Sequence, residues 1–135
     1  MTLIDTSAWI EFLRRAGDPD VKGRVAAFLD AGQAAVCGPI EFELLTGARP
    51  AEIADIHTAM TFCSVLEFSS DCWRRAADLE RTLRGNGITV PRDDIFVASA
   101  ALVYDTPVYC RDAHFELIRA KGSAKLVFRR RNTLT

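Results

Sequence analysis

Short apolar runs, Leu3-Ile4, Ala34-Ala35-Val36-Cys37 and Val108-Tyr109-Cys110, recur along this chain, separated by longer segments of helical period. A strand that is apolar on both faces must be covered on both faces, the condition met in a parallel sheet lying between helices. The alternation therefore predicts an α/β fold with three layers, α/β/α, around a central and mainly parallel sheet. The whole chain, 1–135, is expected to form a single domain, with no repeat, linker or low-complexity stretch to divide it.

The local signals place the elements. Leu3-Ile4-Asp5 reads as the first strand, and Ser7 to Arg14 as a helix capped by Thr6 or Ser7. Gly17-Asp18-Pro19 breaks it and starts a second helix whose stripe is Val21, Val25, Phe28 and Leu29. After the strand Ala34–Cys37, Gly38-Pro39 turns the chain into a helix from Ile40 to Ala48. Pro50 opens another, which reaches Phe62. Ser64 to Glu67 reads as a strand, and Ser69, Ser70 and Asp71 all qualify as caps for a helix ending at Gly85-Asn86-Gly87. An apolar helix from Asp94 to Tyr104, a strand at Val108–Cys110, a helix from Asp112 to Ala120 and a strand from Lys125 to Phe128 complete the pattern.

Four acids fall at suggestive places on this pattern. Asp5 and Asp112 sit where a buried strand hands over to a helix. Asp94 opens a helix that contains no further charge, so burial on all sides fixes where its carboxylate points. Glu43 lies in a helix apolar on more than one side, where a carboxylate is costly unless paired or metal-bound. Glu41 competes with it from a different face, and Asp93 is expected to turn to solvent. The carboxyl ends of parallel strands share one edge of the sheet, so these distant acids can meet there. Clustered carboxylates repel one another, and a divalent cation relieves the repulsion. Each acid also has a plain reading, as a helix cap or as a partner of a helix dipole.

Composition narrows the chemistry. Cys37, Cys63, Cys72 and Cys110 are scattered without a CxxC pair, and His57 and His114 are too few for a zinc site. The thiols read as reduced, small core residues, which points to the cytoplasm. No apolar run reaches the ~20 residues needed to span a bilayer, and no leader precedes Asp5, so neither a membrane nor export is expected. The net charge is −1. Positive charge gathers at Arg14-Arg15, at Arg74-Arg75 and in the tail Lys121, Lys125, Arg129-Arg130-Arg131. Arginines around an acidic pocket suit a polyanion held by its backbone, although any one of them can simply solvate a helix.

The series Asp5-Thr6-Ser7, Glu43-Leu44-x-x-Gly47, Asp94-x-x-Val97-Ala98-Ser99-x-Ala101 and Arg111-Asp112-x-x-Phe115 resembles a PIN domain. The likeness is greatest to the VapC ribonuclease toxins of bacterial toxin–antitoxin pairs. It covers nearly the whole chain in order. The resemblance implies metal-dependent hydrolysis of RNA phosphodiesters, leaving 5′-phosphate and 3′-hydroxyl ends. It carries the acidic quartet onto Asp5, Glu43, Asp94 and Asp112 as catalytic and metal residues. Asp5 and Asp94 would be direct ligands of Mg²⁺ or Mn²⁺, Asp112 a ligand directly or through water, and Glu43 the holder of a water or a second ion. Thr6 and Ser7 would support the carboxylates. Cys110 stands where relatives often carry Thr or Ser, and His114 where some carry another acid; His114 reads either as a ligand or general base or as a surface or supporting histidine. The implied partners are RNA, a cognate VapB-type antitoxin and a second copy in a homodimer, within a heterotetramer or larger assembly. Trp9, Phe12 and Trp73 are candidates for the dimer surface, against core packing.

Two other readings compete. One is a catalytically silent PIN-like module that binds RNA or protein. The other is a phosphotransferase with Asp5 as nucleophile. Such enzymes resemble Asp-x-Asp at this point, and position 7 is Ser here.

Overall fold

The computed structural model describes residues 1–130, so Arg131 of the basic tail lies outside the described residues. Five strands form one sheet: Thr2–Ile4 (β1), Ala34–Cys37 (β2), Ser64–Leu66 (β3), Val108–Cys110 (β4) and Phe128–Arg130 (β5). Their order is β3-β2-β1-β4-β5, and every neighbouring pair is parallel. β1 is central, with Leu3 opposite Ala35 on one side and Val108 on the other.

The helices are Thr6–Leu13 (α1), Pro19–Asp30 (α2), Gly38–Gly47 (α3), Ile53–Thr61 (α4), Ser70–Gly85 (α5), Arg92–Val103 (α6) and His114–Lys121 (α7). Right-handed crossovers place α1 to α4 on one face of the sheet and α5 to α7 on the other. The three-layer expectation therefore holds, with a sheet that is wholly parallel. The strand order reverses between β1 and β4, and a crevice opens beyond the carboxyl ends of strands at such a point. Asp5 and Asp112 follow these two strands.

The strands are short because burial on both faces needs only three or four residues to cross the core. Leu3, Ile4 and Val108 are fully buried, as are Trp9 of α1 and Phe115 and Ile118 of α7. Each such side chain contributes roughly 1.5–3 kcal/mol through removal from water. Trp9 is thus a core residue and unavailable to a dimer surface. Trp73 is 55% exposed and stacks edge-on with Phe68 and Phe96. α6 is buried almost all round, through Ile95 and Val97 to Ala101. All four cysteines are free thiols; Cys37, Cys72 and Cys110 are buried, and Cys63 is partly so.

Several boundaries move for identifiable reasons. The cap of α1 is Asp5, whose Oδ2 accepts from Ser7 N, so β1 ends at Ile4. Pro50–Glu52 forms a 3₁₀ turn ahead of α4. α6 starts at Arg92 after Pro91, which puts Asp94 inside its first turn. α7 starts at His114, because the Asp112 side chain caps His114 N instead of entering the helix. The final strand, expected from Lys125 to Phe128, lies at Phe128–Arg130. Leu126 enters the core from a turn closed by Leu126 N to Ser123 O at 3.2 Å, and the ladder begins with Phe128 opposite Val108.

Candidate active site at the carboxyl edge of the sheet

The site begins with the β1–β4 pair. Asp5 N donates to Tyr109 O at 2.9 Å, extending the ladder by one residue and holding Asp5 at the edge of the sheet. Its Oδ2 accepts from Ser7 N at 3.1 Å and from Ser7 Oγ at 2.6 Å. Ser7 Oγ in turn accepts from Arg111 N at 2.9 Å. One hydroxyl thus ties the end of β1 to the segment after β4 that carries Asp112. Ser7 is a support for the acids as well as part of the cap. Cys110 points elsewhere, its Sγ 3.7 Å from Arg129 O.

Asp94 arrives from the other face. Pro91 caps α6, and Arg92 grips Glu80 of α5 through two bonds of 2.9 and 3.0 Å. The first turn of α6 is thereby fixed, and Asp94 projects into the crevice. There Asp94 Oδ2 and Asp112 Oδ1 each lie 2.7 Å from His114 Nδ1. Donor atoms of Asp94, Asp112 and His114 all fall within 4.8 Å of one another, close enough to hold a single cation. Asp5 adjoins this trio, and its charge acts on Asp94.

The protonation chemistry reflects crowding. Burial, then the charges of Asp5 and Asp112, push the Asp94 carboxyl up to about 7, although His114 pulls the other way. Asp5, only 2% exposed, is also raised, mainly by burial; its bonds to Ser7 oppose this and Asp112 adds to it. Burial alone would lower the His114 imidazole, but Asp94 and Asp112 outweigh that and raise it. These directions are those of a site with surplus negative charge.

Glu43 stands at the flank of the site, partly buried on α3. Burial pushes its carboxyl up to about 7; the Thr6 hydroxyl opposes this, while Asp93 and Asp5 reinforce it. Thr6 Oγ1 is buried and meets no hydrogen-bond partner of good geometry, so its effect on Glu43 is one of proximity. Asp93 is exposed, as expected, yet it lies near enough to Glu43 to raise its carboxyl. Beside Glu43 lies a cleft of about 390 Å³ between α1, α3 and α4, floored by Ile10, Leu13, Leu44 and Ile56 and edged by Arg14, Glu52 and Asp55.

Glu11 is a site residue that the sequence reading passed over. It is 5% exposed, and its carboxylate accepts from Arg111 at 3.1 Å, Arg14 at 3.3 Å and Asp18 N at 3.1 Å. It therefore clamps Arg111, the residue before Asp112. Gly17 makes room for the clamp, since a Cβ there would lie 1.8 Å from Glu11 O. The signal was present: a lone carboxylate in Ala8-Trp9-Ile10-Glu11-Phe12-Leu13, the same anomaly that singled out Glu43. Glu11→Gln is expected to cost about 1–2 kcal/mol, because it weakens charge-assisted bonds while leaving a partner in place. Chemical denaturation measures this, and an unchanged midpoint would show that the clamp carries no strength.

The arginines do not all ring the acids. Arg14 edges the cleft beside Glu43, and Arg111 is held by Glu11. Arg74 pairs with Asp71, and Arg130 with Glu116. Arg75, Lys125 and Arg129 line a separate hollow of about 290 Å³ beside Pro107, at the opposite end of the strands.

Comparison with known proteins agrees with this geometry. The PIN domain family model matches residues 2–121. The chain is 33% identical over 125 residues to VapC ribonuclease Mb1587 of Mycobacterium bovis, covering 87% of this chain and 91% of that protein. Ribonuclease VapC11 of Mycobacterium tuberculosis matches to the same extent. Among solved structures, VapBC2 of Rickettsia felis bound to a promoter DNA fragment superposes with TM-score 0.79 at 13% identity, over 96% of this chain and 97% of that one. DNA-bound VapBC of Salmonella typhimurium gives 0.79 at 15%, over 96% and 98%. The chain belongs to the PIN domain family and, within it, groups with the VapC ribonucleases.

Proposed function

We propose that this protein is the toxin of a toxin–antitoxin pair, a metal-dependent endoribonuclease that hydrolyses RNA phosphodiesters to 5′-phosphate and 3′-hydroxyl ends. The observation that carries this reading is the meeting of Asp94 and Asp112 at the reversal point of the sheet, with Asp5 adjoining. Their ion-pair partner at the edge is His114, while Arg14 and Arg111 are occupied by Glu11. A set of oxygen-rich donors with surplus charge, of which Asp5 and Asp94 are buried and Asp112 partly so, fits Mg²⁺ or Mn²⁺.

Asp94 and Asp112 would hold the cation, with Asp5 completing the oxygen donors and Glu43 alongside. When bound, such an ion polarises a phosphoryl oxygen and acidifies water for in-line attack. Ser7 keeps Asp5 and the Asp112 segment at a constant separation through its two bonds. Glu43, with a carboxyl near neutrality, suits the task of orienting the attacking water and taking its proton. Thr6 lies beside that carboxyl. Ile4 and Cys110, the last residues of β1 and β4, are fully buried behind the acids.

The names of the relatives extend the reading to partners. A VapB-type antitoxin would cover the acidic edge, and the apolar-floored cleft beside Glu43 offers it a seat. A homodimer would use the exposed aromatic face around Trp73. Purified free of antitoxin and given total RNA with Mn²⁺ or Mg²⁺, the wild type is expected to make discrete cuts with 5′-phosphate ends, abolished by chelator. Asp5→Asn should leave the RNA intact. Equal cutting by Asp5→Asn, or cutting that persists in chelator, would refute the assignment.

A further inference from the structure

His114 Nδ1 occupies the point between Asp94 Oδ2 and Asp112 Oδ1, 2.7 Å from each. A cation shared by these two carboxylates comes within reach of that nitrogen. The ring then either swings away or turns its nitrogen to the ion. Two features hold the backbone of this residue beside the site, so the ring stays within reach of the ion. The backbone N–H of His114 donates to Asp112 Oδ1 at 2.7 Å, locking its position to that carboxylate. The next residue, Phe115, is fully buried and anchors the first turn of α7 in the core. The spacing also suits coordination, because adjacent donors around a small divalent ion lie ~3 Å apart. Asp5, by contrast, already has one oxygen committed to two bonds from Ser7.

We propose that His114 is a cation ligand, supplying one nitrogen donor that joins Asp94 and Asp112 in a mixed nitrogen–oxygen site. This rests on the metal-dependent reading above and sharpens it. Imidazole is a softer donor than a carboxylate and suits transition ions better than Mg²⁺. The mixed site therefore favours Mn²⁺ over Mg²⁺ more strongly than an all-carboxylate site of the same charge.

The test is pulsed electron paramagnetic resonance of the full chain with one equivalent of Mn²⁺, and it needs no RNA. The chain contains two histidines, His57 and His114, so the source of any nitrogen signal can be assigned. The expected result is the ¹⁴N modulation of a coordinated imidazole, retained in His57→Ala and lost in His114→Asp and His114→Gln. The side chain of His114 is 41% exposed, so these variants should fold, and circular dichroism checks that they do. Titration calorimetry should show the ratio of Mn²⁺ to Mg²⁺ affinity falling about tenfold in His114→Asp. Mn²⁺ bound tightly by the wild type without ¹⁴N modulation, and with that ratio unchanged in His114→Asp, would overturn the role of His114 and leave the nuclease reading intact. Failure of the wild type to bind Mn²⁺ or Mg²⁺ at all would overturn both.

Discussion

Asp94→Asn is expected to lose RNA cleavage by about 10³-fold while unfolding at a higher temperature than wild type in chelator at pH 7.5. The two effects share one cause. Asp94 is 8% exposed and faces the charges of Asp5 and Asp112, so ionising it in the folded chain is unfavourable. An amide of the same shape removes that repulsion, with an expected gain of about 1–2 kcal/mol, since His114 and residual solvent offset part of it. The same carboxylate belongs to the donor trio, and losing it removes several kcal/mol of charge stabilisation during phosphoryl transfer. About 4 kcal/mol corresponds to 10³ in rate. Single-turnover cleavage and thermal unfolding, measured on one preparation, test both. Loss of activity together with loss of stability would indicate a misfolded variant, and retained activity would remove Asp94 from the reaction.

The metal-free protein should also become less stable as pH rises from about 4 to about 7. Asp94 and Glu43 have folded values near 7, against 3.8 and 4.5 for the free groups. Through that window the folded chain binds more protons than the unfolded chain, so stability falls with increasing pH. His114 acts in the same sense at the upper end. Its folded value lies above 6.5, and the stability it contributes below that point is lost as pH climbs through the folded value. Glu43 is largely solvated, so Asp94 contributes more than Glu43, on the order of 2 kcal/mol, or roughly 7 °C in Tm, and Asp5, raised by its burial, adds in the same direction. Saturating Mg²⁺ or Mn²⁺ at pH 7.5 should restore it, because an ion held at 100 times its Kd adds about 2.7 kcal/mol. Differential scanning calorimetry across pH, with and without cation, measures both slopes. A metal-free Tm that rises between pH 5 and pH 7.5 would show that the carboxylates are not in conflict.

Much of this was legible before any coordinates. Ala34–Cys37, apolar at each position, announced a strand buried on both faces, and it is one. The uncharged stretch after Asp94 announced a helix enclosed on nearly all sides. Asp18-Pro19 announced a helix start, since the Asp18 carboxylate and the fixed proline backbone act within one turn. The misplaced features were those in which a local signal was shared between two jobs. Leu126-Val127-Phe128 looked like a strand, yet apolar residues are as welcome in a core-filling turn. Trp9 was a candidate for an interface with core packing as its default, and the core is where it lies. Glu11 went unread because one of its two arginine partners, Arg111, lies 100 positions away, and the nearby Arg14 alone reads as an ordinary pair along a helix.

The sequence by itself determined the class of fold and the chemical type of the site. Period, caps and apolar runs act over a few residues, and three acids at element boundaries with a fourth inside an apolar helix point to a cation. Only the tertiary structure decided which donors share a point in space. The parallel register of β1 with β4 brings Asp5 beside Asp112. The packing of α6 against α5 aims Asp94 between them, and the capping turn before α7 inserts the His114 ring. Those placements depend on contacts between residues far apart in the chain, and repulsion in the finished site is a property of distances that no local pattern encodes.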